Sequence, residues 1–170
     1  MISGCLDTKI RIFDSDGSLG QTLEGHSKGV ISFSWTSTHQ LLSGSWDGTA
    51  IMWDIATGSV VRRFGPQENG VNVLALKGDQ LATTSTGESV DDKPANFKLR
   101  IWDTNTGALL STREDHGGPI RSIAALPGVM GMMTTSNDGS VMLRSAEGQA
   151  IEALLHPVQE DGTLPMVLNW

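Results

Sequence analysis

The chain has 170 residues and 18.1 kDa, with 38% of its residues of the AVILMFWYC type and 20 glycines. That is enough for one domain core or a slice of a larger ring, and too little for two large independent domains. Nineteen acidic against twelve basic residues give a net charge of −7, which repels phosphate backbones and anionic lipid headgroups, so neither nucleic acid nor a membrane surface is the expected partner.

The single cysteine, Cys5, permits no intrachain disulfide and no CxxC metal site. The start Met1-Ile2-Ser3-Gly4-Cys5-Leu6-Asp7 lacks the basic and apolar regions of a signal peptide, and no stretch reaches the roughly eighteen apolar residues of a membrane-spanning helix. The expectation is a cytoplasmic or nuclear protein without metal or cofactor.

Along the chain one unit of about forty residues recurs. The first unit, residues 1–24, holds Ser3-Gly4-Cys5-Leu6-Asp7 and then Ile10-Arg11-Ile12-Phe13-Asp14. The second, 25–64, repeats these as Ser43-Gly44-Ser45-Trp46-Asp47 and Ala50-Ile51-Met52-Trp53-Asp54. The third, 65–115, has Thr83-Thr84-Ser85 and Leu99-Arg100-Ile101-Trp102-Asp103, and the fourth, 116–155, has Thr134-Thr135-Ser136-Asn137-Asp138 and Ser140-Val141-Met142-Leu143-Arg144. Aligning these phrases puts Phe13, Trp53, Trp102 and Leu143 in phase. The long third interval reflects an insertion, Thr86 to Phe97, rich in Gly, Ser, Asp and Pro.

Gly17, Gly58, Gly107 and Gly148 punctuate a turn after each phrase, and His26, Gln67, His116 and His156 follow eight or nine residues later. Val30 to Trp35, Val71 to Leu76 and Ile120 to Leu126 are β-branched or apolar runs bounded by turn residues and are predicted strands. Gln149 to Leu155 is made of helix formers, but repeat phase assigns it to a strand. Residues 156–170 begin a further unit with a predicted strand over Thr163 to Trp170. The count is sixteen strands, which either close as a four-bladed ring or form an arc of a larger one, the arc being expected.

Four strands every forty residues, with Gly25-His26 ahead and Trp53-Asp54 ending the third strand, resemble the WD-repeat β-propeller. The fold expected is therefore all-β, about four blades of four antiparallel strands. In that family His26, Ser43, Asp47 and Trp53 would form a buried hydrogen-bond network. His116, Thr134 and Asp138 repeat it with Leu143 in place of the indole. The third unit, with Pro66-Gln67 and no turn Asp unless Asp91 or Asp92 supplies it, is expected to have a broken network. A His-Ser-Asp set also suggests a hydrolytic triad, but a set recurring once per blade reads as structure, so no enzyme activity is expected.

The same resemblance places partner contacts on the face carrying the loops before the first strand and the turns after the second strand of each unit. It implicates Leu6, Ser27, Lys28, Trp46, Asn137 and, in the insertion, Asp91 and Asp92. Trp46 is the expected anchor, its alternative being packing against a neighbouring loop. The insertion is either an acidic lip for a basic ligand or a solvated loop.

The phrase Leu41 to Ala50, with Ser3 to Phe13 and Ser136 to Val141 in order around it, resembles the phospholipase-activating protein (PLAA) family. That resemblance implies a ubiquitin-binding propeller in an adaptor for ubiquitin recycling and proteasomal degradation. It also implies an AAA unfoldase recruited through domains absent from this chain. The alternative is a generic WD-repeat assembly scaffold, of the G-protein-β or ubiquitin-ligase-receptor kind.

Overall fold

The computed structural model describes residues 2–4, 6–85, 97–126 and 131–155. All regular structure in these residues is strand, arranged in four antiparallel sheets. The first sheet holds β1 (Ile2–Gly4), β2 (Lys9–Phe13) and β3 (Leu19–Glu24). The second holds β4 (Val30–Ser37), β5 (Gln40–Ser45), β6 (Ala50–Asp54) and β7 (Ser59–Phe64). The third holds β8 (Val71–Lys77), β9 (Gln80–Ser85), β10 (Leu99–Asp103) and β11 (Leu109–Arg113). The fourth holds β12 (Ile120–Ala125), β13 (Gly131–Ser136), β14 (Val141–Ser145) and β15 (Ala150–Leu155). Each sheet is a meander in chain order, and β4, β8 and β12 lie against one another in sequence. This is the all-β, blade-by-blade plan expected from the repeat.

Local chemistry repeats with the blades. The first strand of each four-stranded sheet carries a bulge in the same place, at Val30/Ser32, Val71/Val73 and Ile120/Ser122. The turn between third and fourth strands is closed by a glycine at positive φ, with Gly58 at 72° and Gly107 at 79°, a conformation that costs side-chain-bearing residues. The aspartate that opens this turn caps it, since Asp54 Oδ1 accepts from the Ala56 and Thr57 amides and Asp103 Oδ1 from that of Thr106. Residues 150–155 form strand β15 despite their helix propensity, because pairing with β14 after the Gly148 turn decides the conformation.

Alternate residues of each strand serve different cores. Ile10 and Leu23 of the first sheet pack with Val30, Leu41, Ile51 and Trp53 of the second. The opposite face of the second sheet, Leu42, Ala50, Met52 and Phe64, packs on Val71, Leu81 and Trp102 of the third. The next layer joins Ala82, Leu99 and Ile101 to Ile120 and Met132. Trp53 is 1% exposed and Phe64 fully buried, each burial contributing roughly 1.5–3 kcal/mol.

One register differs from the sequence reading. Ala50 pairs with Gly44, Leu99 with Thr84 and Val141 with Thr135, so the residue in phase with Trp53 and Trp102 is Arg144, not Leu143. The sequence phrase was matched on apolarity, and an arginine gave no signal at an indole position. The strand expected over 163–170, residues 86–96 of the insertion with Asp91 and Asp92, and His156 lie outside the described residues.

Candidate functional site

The second sheet builds its polar network from four elements. His26, before β4, sends Nε2 to Ser43 Oγ on β5 at 2.8 Å and Nδ1 to Asp47 Oδ2 in the β5–β6 turn at 2.9 Å. Trp53 Nε1 on β6 donates to Ser43 Oγ at 2.8 Å. The protons follow from the donor inventory. The indole can only donate, so Ser43 Oγ accepts there and gives its own proton to His26 Nε2. The imidazole therefore carries its hydrogen on Nδ1 and donates it to Asp47. Thr49 Oγ1 and the amides of Ser27 and Thr49 complete the shell of the carboxylate at 2.6–2.9 Å. Burial acts to raise the Asp47 pKa, but these hydrogen bonds, led by His26, overcome it and hold the carboxyl well below the usual range.

These contacts match the lengths of a hydrolytic triad, yet the arrangement suits a brace. Ser43 is fully buried, and its oxygen is capped by the indole, so a substrate carbonyl has no approach to it. The His26 ring is also held edge-on against Trp53, centroids 6.2 Å apart.

The fourth sheet repeats the brace with altered parts. His116 Nε2 meets Thr134 Oγ1 at 2.8 Å and Nδ1 meets Ser140 Oγ at 2.7 Å. Ser140 passes its own proton to Asp138 Oδ1 at 2.5 Å. Arg144 Nε donates to Thr134 Oγ1 at 2.8 Å, and its two terminal nitrogens grip Asp115 at 2.8 Å each. Burial and then the Arg144 charge lower the His116 pKa against the pull of Asp138 and Asp115. Asp138, raised by burial but more strongly lowered by bonds from Ser140 and the Gly117 amide, sits at about 2.

The third sheet corrects the expectation of a broken network. Gln67, standing where His26 stands, donates Nε2 to Thr83 Oγ1 at 2.8 Å, and Trp102 Nε1 donates to the same oxygen at 2.9 Å. Arg100 Nη1 donates to Gln67 Oε1 at 2.8 Å, so no turn aspartate is needed. Arg100 is 6% exposed and is balanced by Glu68 at 3.6 Å, beside the Lys98 pairs with Glu68 and Glu114 at 3.1 Å. An amide supplies both a donor and an acceptor, which the sequence reading overlooked when it sought a His-Asp pair. In the first sheet Asp7 takes Arg11 instead of a histidine, with Arg11 Nη2 at 2.5 Å.

The face carrying the β5–β6 turn and the segment before β4 brings several of the expected contact residues together. Leu6 is 68% exposed and Trp46 39% exposed. They meet over Gly29, where a Cβ would lie 3.1 Å from Leu6 Cδ2 and 3.3 Å from Trp46 Cε3. A side chain at this position would push its neighbours back by a few tenths of an ångström. The Trp46 amide donates to the Gly29 carbonyl at 3.0 Å, and Ser45 Oγ to the same carbonyl at 2.9 Å. Ser27 and Lys28 are exposed next to Gly29 along the chain. Asn137 is exposed on the equivalent turn of the fourth sheet, where it accepts from Arg121 Nε at 2.8 Å. Gly29 and Arg121 escaped the sequence reading, because neither stands in the recurring phrases.

Among the described residues there is no group of three or more His, Cys, Asp or Glu side chains placed to hold a metal, and no helix is long and apolar enough to cross a membrane.

Residues 17–54 match the family "WD domain, G-beta repeat". The chain is 27% identical over 182 residues to a guanine nucleotide-binding protein subunit beta of Oryza sativa subsp. japonica, covering 98% of this chain and 47% of that protein. It is 27% identical over 132 residues to the U3 small nucleolar RNA-associated protein 15 homolog of Xenopus tropicalis, covering 75% of this chain and 24% of that one. The chain thus spans between about a quarter and a half of these curated relatives. Among solved structures it resembles the computationally designed Ika8 protein, with TM-score 0.75 and 22% identity over 91% of this chain and 46% of that one. It also resembles a chain of the mitotic checkpoint complex, with TM-score 0.69 and 24% identity over 85% of this chain and 44% of that one. These likenesses and the four meander sheets agree: the chain carries a WD40 repeat within a β-propeller-like fold.

Proposed function

We propose that this chain is a non-catalytic protein-docking surface that engages its partner through Leu6, Ser27, Lys28, Trp46 and Asn137. The observation that carries the reading is the meeting of Leu6 and Trp46 over Gly29. An exposed indole is the kind of anchor that dominates protein interfaces, Leu6 adds apolar surface close to it across Gly29, and the buried braces beneath keep the turns rigid. Support also comes from the names of relatives, among them a guanine nucleotide-binding protein subunit beta and a ribosome biogenesis protein of Yarrowia lipolytica. A cytoplasmic or nuclear location is part of the same proposal. Asp91 and Asp92 stay in this proposal on sequence grounds as an acidic margin to the same face. Affinity capture with the wild-type chain and with the Leu6→Ala/Trp46→Ala variant tests the site: the partner set is lost in the variant at an unchanged melting temperature, and an unchanged set overturns the assignment.

The finer reading makes ubiquitin the ligand, within an adaptor like the phospholipase-activating proteins whose other domains recruit an AAA unfoldase. It rests on the Leu41 to Ala50 phrase and on the exposed Leu6–Trp46 pair, which suits an apolar patch on a small globular partner. Titration of isotope-labelled ubiquitin with the chain decides it. Amide shifts confined to one apolar patch support ubiquitin; no shifts from a monodisperse, folded sample return the protein to the generic assembly-scaffold class.

A further inference from the structure

One set of positions is buried wherever two sheets meet. Leu42, Ala50 and Met52 of the second sheet are at most 5% exposed beside the third, and Ala82, Leu99 and Ile101 of the third at most 2% beside the fourth. By register the same positions in the fourth sheet are Met133, Val141 and Leu143, and these are only half-buried. At the other end of the arc, Phe13 stands where Trp53 and Trp102 stand and is half-buried as well. The innermost layer is open there too. β4 lies against β8 and β8 against β12, whereas the first sheet, ordered β1-β2-β3, sets no such strand beside β4 among the described residues. Phe33 of β4 packs over Gly4, and Trp35, on the same face two residues on, is 50% exposed.

The molecule itself shows what covers such a face, namely the opposite face of another sheet of the repeat. In a second copy, that opposite face is open on the first sheet. Residues 163–170 fit the vacant innermost position by pattern, since Leu164, Met166, Leu168 and Trp170 alternate as on one face of a strand. Length agrees, because two of the solved chains with this fold are about twice as long, this chain spanning 46% and 44% of them. One position sets the strength. Gln21, Arg62 and Ser111 each donate to a turn carbonyl of the next sheet, those of Ile55 at 2.8 Å, Thr106 at 3.1 Å and Glu147 at 2.8 Å. The same register in the fourth sheet holds Glu152, an acceptor where a donor is called for, which keeps association weak.

We propose that two copies of this chain associate head to tail into one ring. The fourth sheet of each docks on the first sheet of the other, and residues 163–170 of each run along β1 of the other and cover its Trp35. Both contacts use the same pair of unlike surfaces, and the ring closes after two copies. The contact is separate from the Leu6–Trp46 face and stands or falls independently of it.

The test is sedimentation velocity of the whole chain over a concentration series up to about 200 μM, where a species of twice the 18.1 kDa monomer mass is expected with a midpoint on the order of 10–50 μM. Leu168→Asp, in the added strand, and Trp35→Asp, at an exposed position, each abolish the dimer at an unchanged melting temperature. Mixing these two variants restores part of it, because the Trp35→Asp chain keeps its fourth-sheet side and the Leu168→Asp chain its first-sheet side. Glu152→Gln supplies the donor and tightens association about tenfold. Val61→Lys, on β7 away from both faces and 45% exposed, leaves dimer and melting temperature unchanged. A monomer throughout the series, a ladder of larger species, dimers that persist in both single variants, or a mixture no better than its parents would overturn the proposal.

Discussion

Arg144 Nε donates to Thr134 Oγ1 at 2.8 Å, in the place where Trp53 Nε1 donates to Ser43 Oγ at the same distance. The guanidinium does what the indole does for the hydroxyl and has two nitrogens left over, which Asp115 binds. Arg144→Leu removes all these donors from a fully buried site, with an expected loss of roughly 2–4 kcal/mol in denaturant unfolding. Arg144→Trp restores the single bond to Thr134 and is expected to lose less. Equal losses would show that the hydroxyl bond carries no weight.

Acid weakens the fold in two stages. His116 is lowered from 6.5 by burial and the Arg144 charge, so the unfolded chain takes up the proton first and stability falls as pH drops below about 6.5. Asp138 is lowered from 3.8 to about 2, and Asp47 is lowered too. Their contribution is therefore fully present above about 3.8 and lost as pH falls toward the folded values. A urea series across pH should show both slopes. His116→Gln is expected to flatten the upper one and Asp138→Asn to reduce the lower; an unchanged upper slope in His116→Gln contradicts the assignment.

Thr8 occupies a position that the second and fourth sheets give to glycine. Its φ is 72°, against 81° at Gly48 and 83° at Gly139, each directly after the turn aspartate. A β-branched residue in this region is strained, so Thr8→Gly should stabilise the chain by about 1 kcal/mol. Gly48→Ala should do the reverse and more strongly, because its Cβ would come within 2.5 Å of the Gln67 carbonyl. Thermal unfolding of the two variants reads both signs.

Thr83 Oγ1 accepts from both Gln67 and Trp102. Thr83→Val keeps the shape but leaves two buried donors unpaired, and about 2–4 kcal/mol of destabilisation is expected. Thr83→Ser retains the acceptor and should lose under about 1.5 kcal/mol. A Thr83→Val chain as stable as the wild type would mean that the third brace is ornamental.

The blade plan was legible because Gly turns, the Trp-Asp phrases and the His positions recur in phase, and repetition overrode local propensity even at 149–155. The second brace was legible residue by residue, since its four side chains belong to one recognisable set. In the fourth, His116, Thr134 and Asp138 were legible but Arg144 was not, since it replaces an indole by a cation, and the third was not legible, since Gln67 and Arg100 replace a His-Asp pair by different donors and acceptors. Hydrogen-bond equivalence leaves no hydrophobic signature, so a pattern match on Leu143 slipped by one residue. The closeness of Leu6 to Trp46 was equally hidden, because the small residue between them, Gly29, lies in neither phrase.

The most direct test of the docking surface is quantitative affinity capture with the wild-type chain, with Leu6→Ala/Trp46→Ala and with Val61→Lys, all checked for equal melting temperature and monodispersity. The Leu6–Trp46 account predicts a partner retained by the wild type and Val61→Lys and lost from the double variant. Retention by the double variant at wild-type strength would contradict it.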